Sequence, residues 1–213
     1  MAAEILNLHH ITPEKQKLNK IAEAVNNGAV ILYPTDTGFT LGCGIEQKNA
    51  IEKIRQIRSL TYKHELTFLC DSLSDVSEYA KVSTEAYKLI KRLIPGPYTF
   101  ILPATKQVPK YAQNPKRRTS GIRVPENVLS QELLKLLNKP LMSISAKVNS
   151  PDEFAYAPDP DEVLDNYVNQ VDIAVTSDEY YFVGESTILD LTNAEFGVIR
   201  EGAGFNNVKD FLY

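Results

Sequence analysis

The sequence predicts an α/β fold, a twisted mixed sheet of parallel and antiparallel strands flanked by helices, with residues 1–213 forming a single domain. Three observations lead to it. Short apolar runs of strand length alternate with segments of helical periodicity from one end of the chain to the other. A chain of 213 residues, 43% hydrophobic and 23% charged, can bury a substantial core, which excludes collagenous, disordered and disulfide-framework classes. No repeat, low-complexity tract or linker divides it, and the proline-rich stretch 150–160 reads as a loop.

The elements follow in order. Thr12-Pro13-Glu14 reads as cap, first-turn proline and early acid, opening a helix whose Leu18, Ile21, Ala22 and Val25 share one face before Gly28 closes it. Ala29 to Tyr33 is a continuous β-rich run, as in a strand buried on both faces. Asn49 to Ile57 is helical, with Ile51, Ile54 and Ile57 at three-residue spacing, and Leu66 to Cys70 is a short strand. Thr84 to Leu93 is a helix stopped by Pro95-Gly96-Pro97, after which Tyr98 to Leu102 returns as a strand. Gly121 to Val124 is a strand, Val128 to Leu137 a helix and Leu141 to Ala146 a strand. Pro158 to Tyr167 is a helix with Asp159 as cap, and strands follow at Val171–Val175, Thr187–Leu191 and Gly197–Arg200.

Charge is distributed unevenly. Residues 1–150 carry 21 basic and 13 acidic side chains, whereas residues 151–213 carry 2 and 14. Lys48, Lys53, Arg55, Arg58 and Lys63 form one concentration, and Lys110, Lys116, Arg117, Arg118 and Arg123 another with no acid between them. Such clusters are solvated faces or sites for an anionic partner, either nucleotide phosphate or an RNA backbone. The two cysteines, Cys43 and Cys70, can make neither a disulfide framework nor a four-ligand zinc site, which points to a reducing compartment. The N-terminal MAAEILNLHH has no signal-peptide pattern, and the apolar run Ala29 to Tyr33 is far short of a bilayer span. A cytoplasmic protein without membrane association is expected.

No Walker-type phosphate loop, dinucleotide fingerprint or serine-hydrolase elbow occurs, and three histidines, two adjacent, do not suggest a metal cluster. Chemistry must rest on hydroxyls, backbone amides and cations. Thr35, Asp36 and Thr37 lie in a turn at the carboxyl end of a buried strand, where ligands sit in open α/β sheets, although the same side chains also cap turns. In Ser143-Ile144-Ser145-Ala146-Lys147, strand periodicity puts Ser143, Ser145 and Lys147 on one face, a cradle for phosphate or carboxylate or simply a polar outer face. In Thr119-Ser120-Gly121-Ile122-Arg123-Val124-Pro125, Arg123 is pinned between apolar neighbours, as an anion ligand or as a rim charge on an edge strand. Glu185-Ser186-Thr187 and Arg200-Glu201-Gly202-Ala203-Gly204 are further polar strand junctions.

The segments GAVILYPTDTGFTLGCG, PGPYTFIL, TSGIRVP, PLMSISAKV, ESTILDL and VIREGAG, in this order between residues 28 and 204, resemble the YrdC-like family, the threonylcarbamoyl-AMP synthases and their relatives. The chain is similar above all to the YciO branch and reads as too short for the extra C-terminal domain of the longer synthases. The resemblance implies a positively lined groove that takes ATP, L-threonine and bicarbonate and makes threonylcarbamoyl-adenylate, the precursor of threonylcarbamoyladenosine (t6A) in tRNA. Carried over by position, Thr35, His64, Arg123, Ser143 and Ser186 would face the amino acid, and Arg58, Thr119, Ser145 and Arg200 the nucleotide. Mg2+ would accompany ATP, with no metal ligand from protein side chains and no prosthetic group.

Two triplets depart from the synthase pattern. Arg58-Ser59-Leu60 stands for Lys-x-Arg, and Ser145-Ala146-Lys147 for Ser-x-Asn. Phe39-Thr40-Leu41-Gly42 likewise replaces the usual Tyr-Gly-Leu-Gly. Losing a cation opposite phosphates costs about 2–4 kcal/mol of transition-state stabilisation, which Lys63 or Lys147 would restore from another direction. An enzyme that makes or cleaves such an adenylate is therefore one expectation. A non-catalytic factor that binds tRNA or double-stranded RNA through Lys110, Lys116, Arg117 and Arg118 is the other.

Overall fold

A computed structural model describes residues 2–61, 64, 66–148 and 159–211, with the Asp210 side chain left aside. Its strands are β1 (Glu4–Leu8), β2 (Ile31–Thr35), β3 (Gly38–Gly44), β4 (Thr67–Leu69), β5 (Tyr98–Pro103), β6 (Thr119–Arg123), β7 (Leu141–Ser145), β8 (Ile173–Ser177), β9 (Thr187–Asp190) and β10 (Gly197–Arg200). Its helices are α1 (Lys15–Asn26), α2 (Lys48–Ile57), α3 (Leu73–Tyr79), α4 (Thr84–Leu93), α5 (Val128–Leu137) and α6 (Pro160–Tyr167). All ten strands join one sheet in the order β1-β8-β2-β3-β7-β4-β6-β5-β9-β10. Pairs β1–β8, β2–β8, β4–β6 and β5–β9 are parallel and the other five antiparallel, so the mixed sheet expected from the alternation is present.

Most expected elements are found within two residues of their sequence bounds, α4, α5 and β10 without any shift. The first helix starts later than expected, at Lys15 with Glu14 as its cap, because the Thr12 hydroxyl is occupied by His9 Nδ1 at 3.3 Å. Asp159 does cap α6, its carboxylate accepting from the amides of Asp161 and Glu162. Three elements are additional: β1, β3 and α3. In β3 the residues Gly38, Gly42 and Gly44 hide the apolar alternation, and the strand forms because a tight turn returns it onto β2. That turn needs a residue at φ +118°, which Gly38 supplies, and Thr35 Oγ1 donates to the Gly38 carbonyl at 2.8 Å. Arg123 was open to reading as an edge charge; β6 lies between β4 and β5, inside the sheet. The expected loop at 150–160 falls mostly outside the described residues.

Helices cover both faces. On one face α2, α3 and α4 pack over Leu32, Leu41, Phe68, Phe100 and Ile122. On the other, α1 and α5 cover the β2–β8 end through Ile21, Val25, Leu133 and Leu134 against Ile31, Tyr33 and Val175. Cys43 and Cys70 are buried free thiols, with Cys43 pushed up to about 12 by burial. Among the described residues no helix is long and apolar enough to cross a membrane.

Candidate functional site

Strand register decides which side chains share a face. Gly42, Ser143, Thr67, Gly121, Ile101 and Asp190 stand opposite one another in one row across β3, β7, β4, β6, β5 and β9. Alternation along each strand then puts Thr35, Thr40, Ser145, Thr119, Arg123 and Thr99 on the same face as that row. This is the face whose β2–β8 end is covered by α1 and α5. The remainder is lined by hydroxyls and by two glycines in strands. A Cβ on Gly42 would fall 2.6 Å from the Tyr33 ring, so glycine there lets Tyr33 lie flat and reach Ser143, Oη to Oγ 2.5 Å. Burial pushes the Tyr33 phenol above its ordinary range, so it stays neutral.

At one end of this face Arg123 is almost fully buried, with its side chain 7% exposed and Asp36 5%. Arg123 Nη2 donates to Asp36 Oδ1 and Nη1 to Thr37 Oγ1, and Thr35 Oγ1 accepts from the Thr37 amide at 3.2 Å. The arginine read from sequence as an anion ligand therefore has an acid of its own. Asp36 Oδ2 and Arg123 Nε are buried with no hydrogen-bond partner among the described residues.

Thr99, which the β5–β6 register sets beside Arg123, bonds Ser186 Oγ through its Oγ1 at 3.0 Å; Ser186 Oγ also accepts from Arg200 Nη2 at 3.0 Å, while Arg200 Nε donates to the Ser186 carbonyl at 2.9 Å. Arg200 Nη1 also meets Glu185 Oε2 at 2.9 Å, and Lys147 Nζ meets Glu185 Oε1 at 2.7 Å. Lys147 first and Arg200 second hold the Glu185 carboxyl below its ordinary range. Lys147 lies beyond the end of β7, so strand periodicity does not carry it into line with Ser143 and Ser145; it arrives through Glu185 instead. Its carbonyl accepts from Tyr167 Oη at 2.7 Å and Arg58 Nη1 at 3.3 Å, which ties Arg58 to the Lys147 main chain. Thr119 is buried at the start of β6, and Ser145 is exposed. His64 lies in the loop after α2, where its Nδ1 meets Thr61 Oγ1 at 3.1 Å and its carbonyl accepts from Arg55 Nη1 at 3.1 Å, and Lys63 lies outside the described residues.

Lys110, Lys116, Arg117 and Arg118 are exposed on the β5–β6 connection. Asn114 folds it, accepting the amides of Lys116 and Arg117 on its side chain, and Arg118 is left-handed at φ +54°. Arg117 Nη1 lies 3.6 Å from Asp190 Oδ2, which places the basic loop beside the polar face.

Sequence reading missed the partners rather than the ligand candidates: Tyr33, Thr99, Tyr167 and, in their paired roles, Asp36 and Glu185. Asp36 and Glu185 sit inside quoted motifs, but nothing in the sequence says which cation each takes. The adjacent histidines were not expected to gather, yet His9, His10 and Asp178 bring potential ligand atoms within 4.8 Å. His9 Nδ1, however, already accepts the amides of Ile11 and Thr12, which leaves only Nε2 of that ring facing Asp178, at 3.8 Å.

Residues 23–202 match the profile of the Sua5, YciO and YrdC proteins, described as "Telomere recombination". The chain is 41% identical to the uncharacterised YciO protein of Escherichia coli K12 over 210 residues, covering 99% of this chain and all of that one. It is 25% identical to the threonylcarbamoyl-AMP synthase of Pyrococcus abyssi over 190 residues, 89% of this chain and 55% of the synthase. The crystal structure of E. coli YciO superposes with a TM-score of 0.89 at 40% identity, over 99% of this chain and 100% of that one. That of P. abyssi Sua5 complexed with L-threonine superposes with 0.81 at 26% identity, over 93% of this chain and 57% of that one. By the profile match and the identity to YciO, the chain belongs to the Sua5/YciO/YrdC family.

Proposed function

We propose that the polar face is a groove for a threonine-like amino acid and ATP, and that the chain performs the adenylate chemistry of the threonylcarbamoyl-AMP synthases. The observation that carries this is the shared face. Thr35, Arg123, Ser143, Ser186 and Arg200, scattered over 166 positions of sequence, come to one side of one sheet. The orphaned Arg123 Nε and Asp36 Oδ2 add buried polar capacity beside Thr35, suited to the charged ends of an amino acid. Arg58, Thr119, Ser145, Lys147 and Arg200 would hold the nucleotide. No covalent nucleophile is required: holding a carbamate oxygen in line with the α-phosphate, with cations opposite the departing pyrophosphate, supplies the rate.

Mg2+ would arrive bound to the ATP phosphates. The carboxylates of this face do not fit a resident cation, since Asp36 is held by Arg123, Glu185 by Lys147 and Arg200, and Asp190 by Arg117 and Thr192. Pyrophosphate release from ATP with Mg2+ and bicarbonate is the test. It is expected to depend on L-threonine and to fall at least about tenfold in Ser143→Ala, the scale of one lost transition-state hydrogen bond. Release that ignores threonine overturns the synthase reading.

A second reading, RNA binding, rests on the basic β5–β6 loop lying beside the same face through Arg117 and Asp190. Binding of a tRNA or a short duplex RNA is then expected to weaken steeply with salt. The Arg117→Ala/Arg118→Ala double variant should lower the slope of log K against log salt by about 1–2. An unchanged slope removes the loop from any RNA contact.

A further inference from the structure

The two cations beside Ser186 already share one internal anion. Glu185 spans Lys147 Nζ at 2.7 Å and Arg200 Nη1 at 2.9 Å with its two oxygens. Arg200 does not depend on Glu185 for its place. Arg200 is fastened through Nε and Nη2 to the Ser186 carbonyl and hydroxyl. The Lys147 main chain is fastened through its carbonyl to Tyr167 and Arg58. The carboxylate, by contrast, ends a side chain that is 52% exposed and free to turn outward. A fixed guanidinium and a lysine ammonium bridged by one displaceable carboxylate are what a phosphate group would meet, and that carboxylate stands where two phosphate oxygens would stand.

We propose that Glu185 is an internal competitor: its carboxylate occupies the phosphate subsite formed by Lys147 and Arg200, and a nucleotide's phosphate chain must displace it to bind. This rests on the reading of the face as a nucleotide groove and adds to it a residue that lowers affinity. The exchange swaps one anion for another on the same donors. The cost is the loss of two solvent-exposed ion pairs, each of modest strength, so the handicap is small but measurable. L-threonine, read as lying among Thr35, Arg123, Ser143 and Ser186, carries no phosphate chain and is not expected to displace Glu185.

Calorimetric titration of pyrophosphate, Mg2+-ATP and L-threonine into the wild type, Glu185→Gln and Glu201→Gln tests this. Glu201 is exposed and next in sequence to Arg200, and it has the same charge, so it reports what net charge alone does. Glu185→Gln should bind pyrophosphate and Mg2+-ATP about 3- to 10-fold more tightly, with threonine affinity unchanged. Glu201→Gln should match the wild type for all three. A wild type too weak to measure beside a Glu185→Gln that binds also supports the proposal. Equal affinities in the wild type and Glu185→Gln overturn it while leaving the nucleotide reading intact, as does an equal gain in Glu201→Gln. Absence of phosphate binding in every variant overturns both. Thermal unfolding of each variant identifies any loss of fold.

Discussion

Arg123→Met is expected to destabilise the chain by about 3–5 kcal/mol, read as a shift of the urea unfolding midpoint at unchanged slope. The reason is what remains behind. Asp36, with its side chain 5% exposed, would be left in the interior with no counter-charge, and Thr37 would lose the donor that fixes the turn. An exposed arginine would cost a fraction of this. The pair can be separated from simple loss of packing by a double-mutant cycle: Asp36→Asn added to Arg123→Met should recover about 1–3 kcal/mol, because the buried charge is then gone. Additive losses would mean that the two side chains do not act on one another, and the account of this end of the site would fail. Arg123→Lys should fall between, keeping charge but losing the fork that reaches Asp36 and Thr37 together.

Gly202→Ala is expected to cost about 2–4 kcal/mol, again by urea unfolding. A Cβ there would sit 2.3 Å from the Glu185 carbonyl oxygen and 2.7 Å from the Ser186 carbonyl carbon. Both are backbone, so no side-chain rotation relieves the clash and the two segments must separate. Three hydrogen bonds cross that seam: Ala203 N to Glu185 O at 2.8 Å, Thr187 Oγ1 to Ala203 O at 2.8 Å, and Gly202 N to Thr187 Oγ1 at 3.1 Å. Because Ser186 and Arg200 flank the seam, the variant should also lose nucleotide affinity. Gly197→Ala is the control. Its Cβ would meet the Asp190 Cβ at 3.8 Å, an ordinary contact, and the change should stay within about 0.5 kcal/mol. A similar loss in both would show that the close approach is not what glycine provides at 202.

The helices were legible because their signals are local. Ser83 and Asn127 cap α4 and α5 at the bounds that periodicity gives, and the four apolar residues read into the first helix are those it buries. β3 was not legible: with Gly38, Gly42 and Gly44 in seven residues, its identity comes from pairing with β2 and β7, which is not local. β1 was missed for the same reason, since Glu4 to Leu8 becomes a strand through β8. At the site, sequence supplied the hydroxyls and cations but not their pairings. Asp36 and Arg123 are 87 positions apart, and Lys147 and Glu185 are 38 apart. Which acid meets which base follows from strand order, and no periodicity encodes strand order.

The parallel pairing of β1 and β2 with β8 has a consequence for biosynthesis. Residues 4–8 and 31–32 find their partner only at residues 173–177. During translation the outer edge of β2 therefore stays open until most of the polypeptide has left the ribosome, and an open edge is an adhesive one. Ser186 and Arg200 are later still. The polar face is therefore the last part of this molecule to be completed, and a nascent chain stalled before that point would carry Thr35, Arg123 and Ser143 without Ser186 and Arg200.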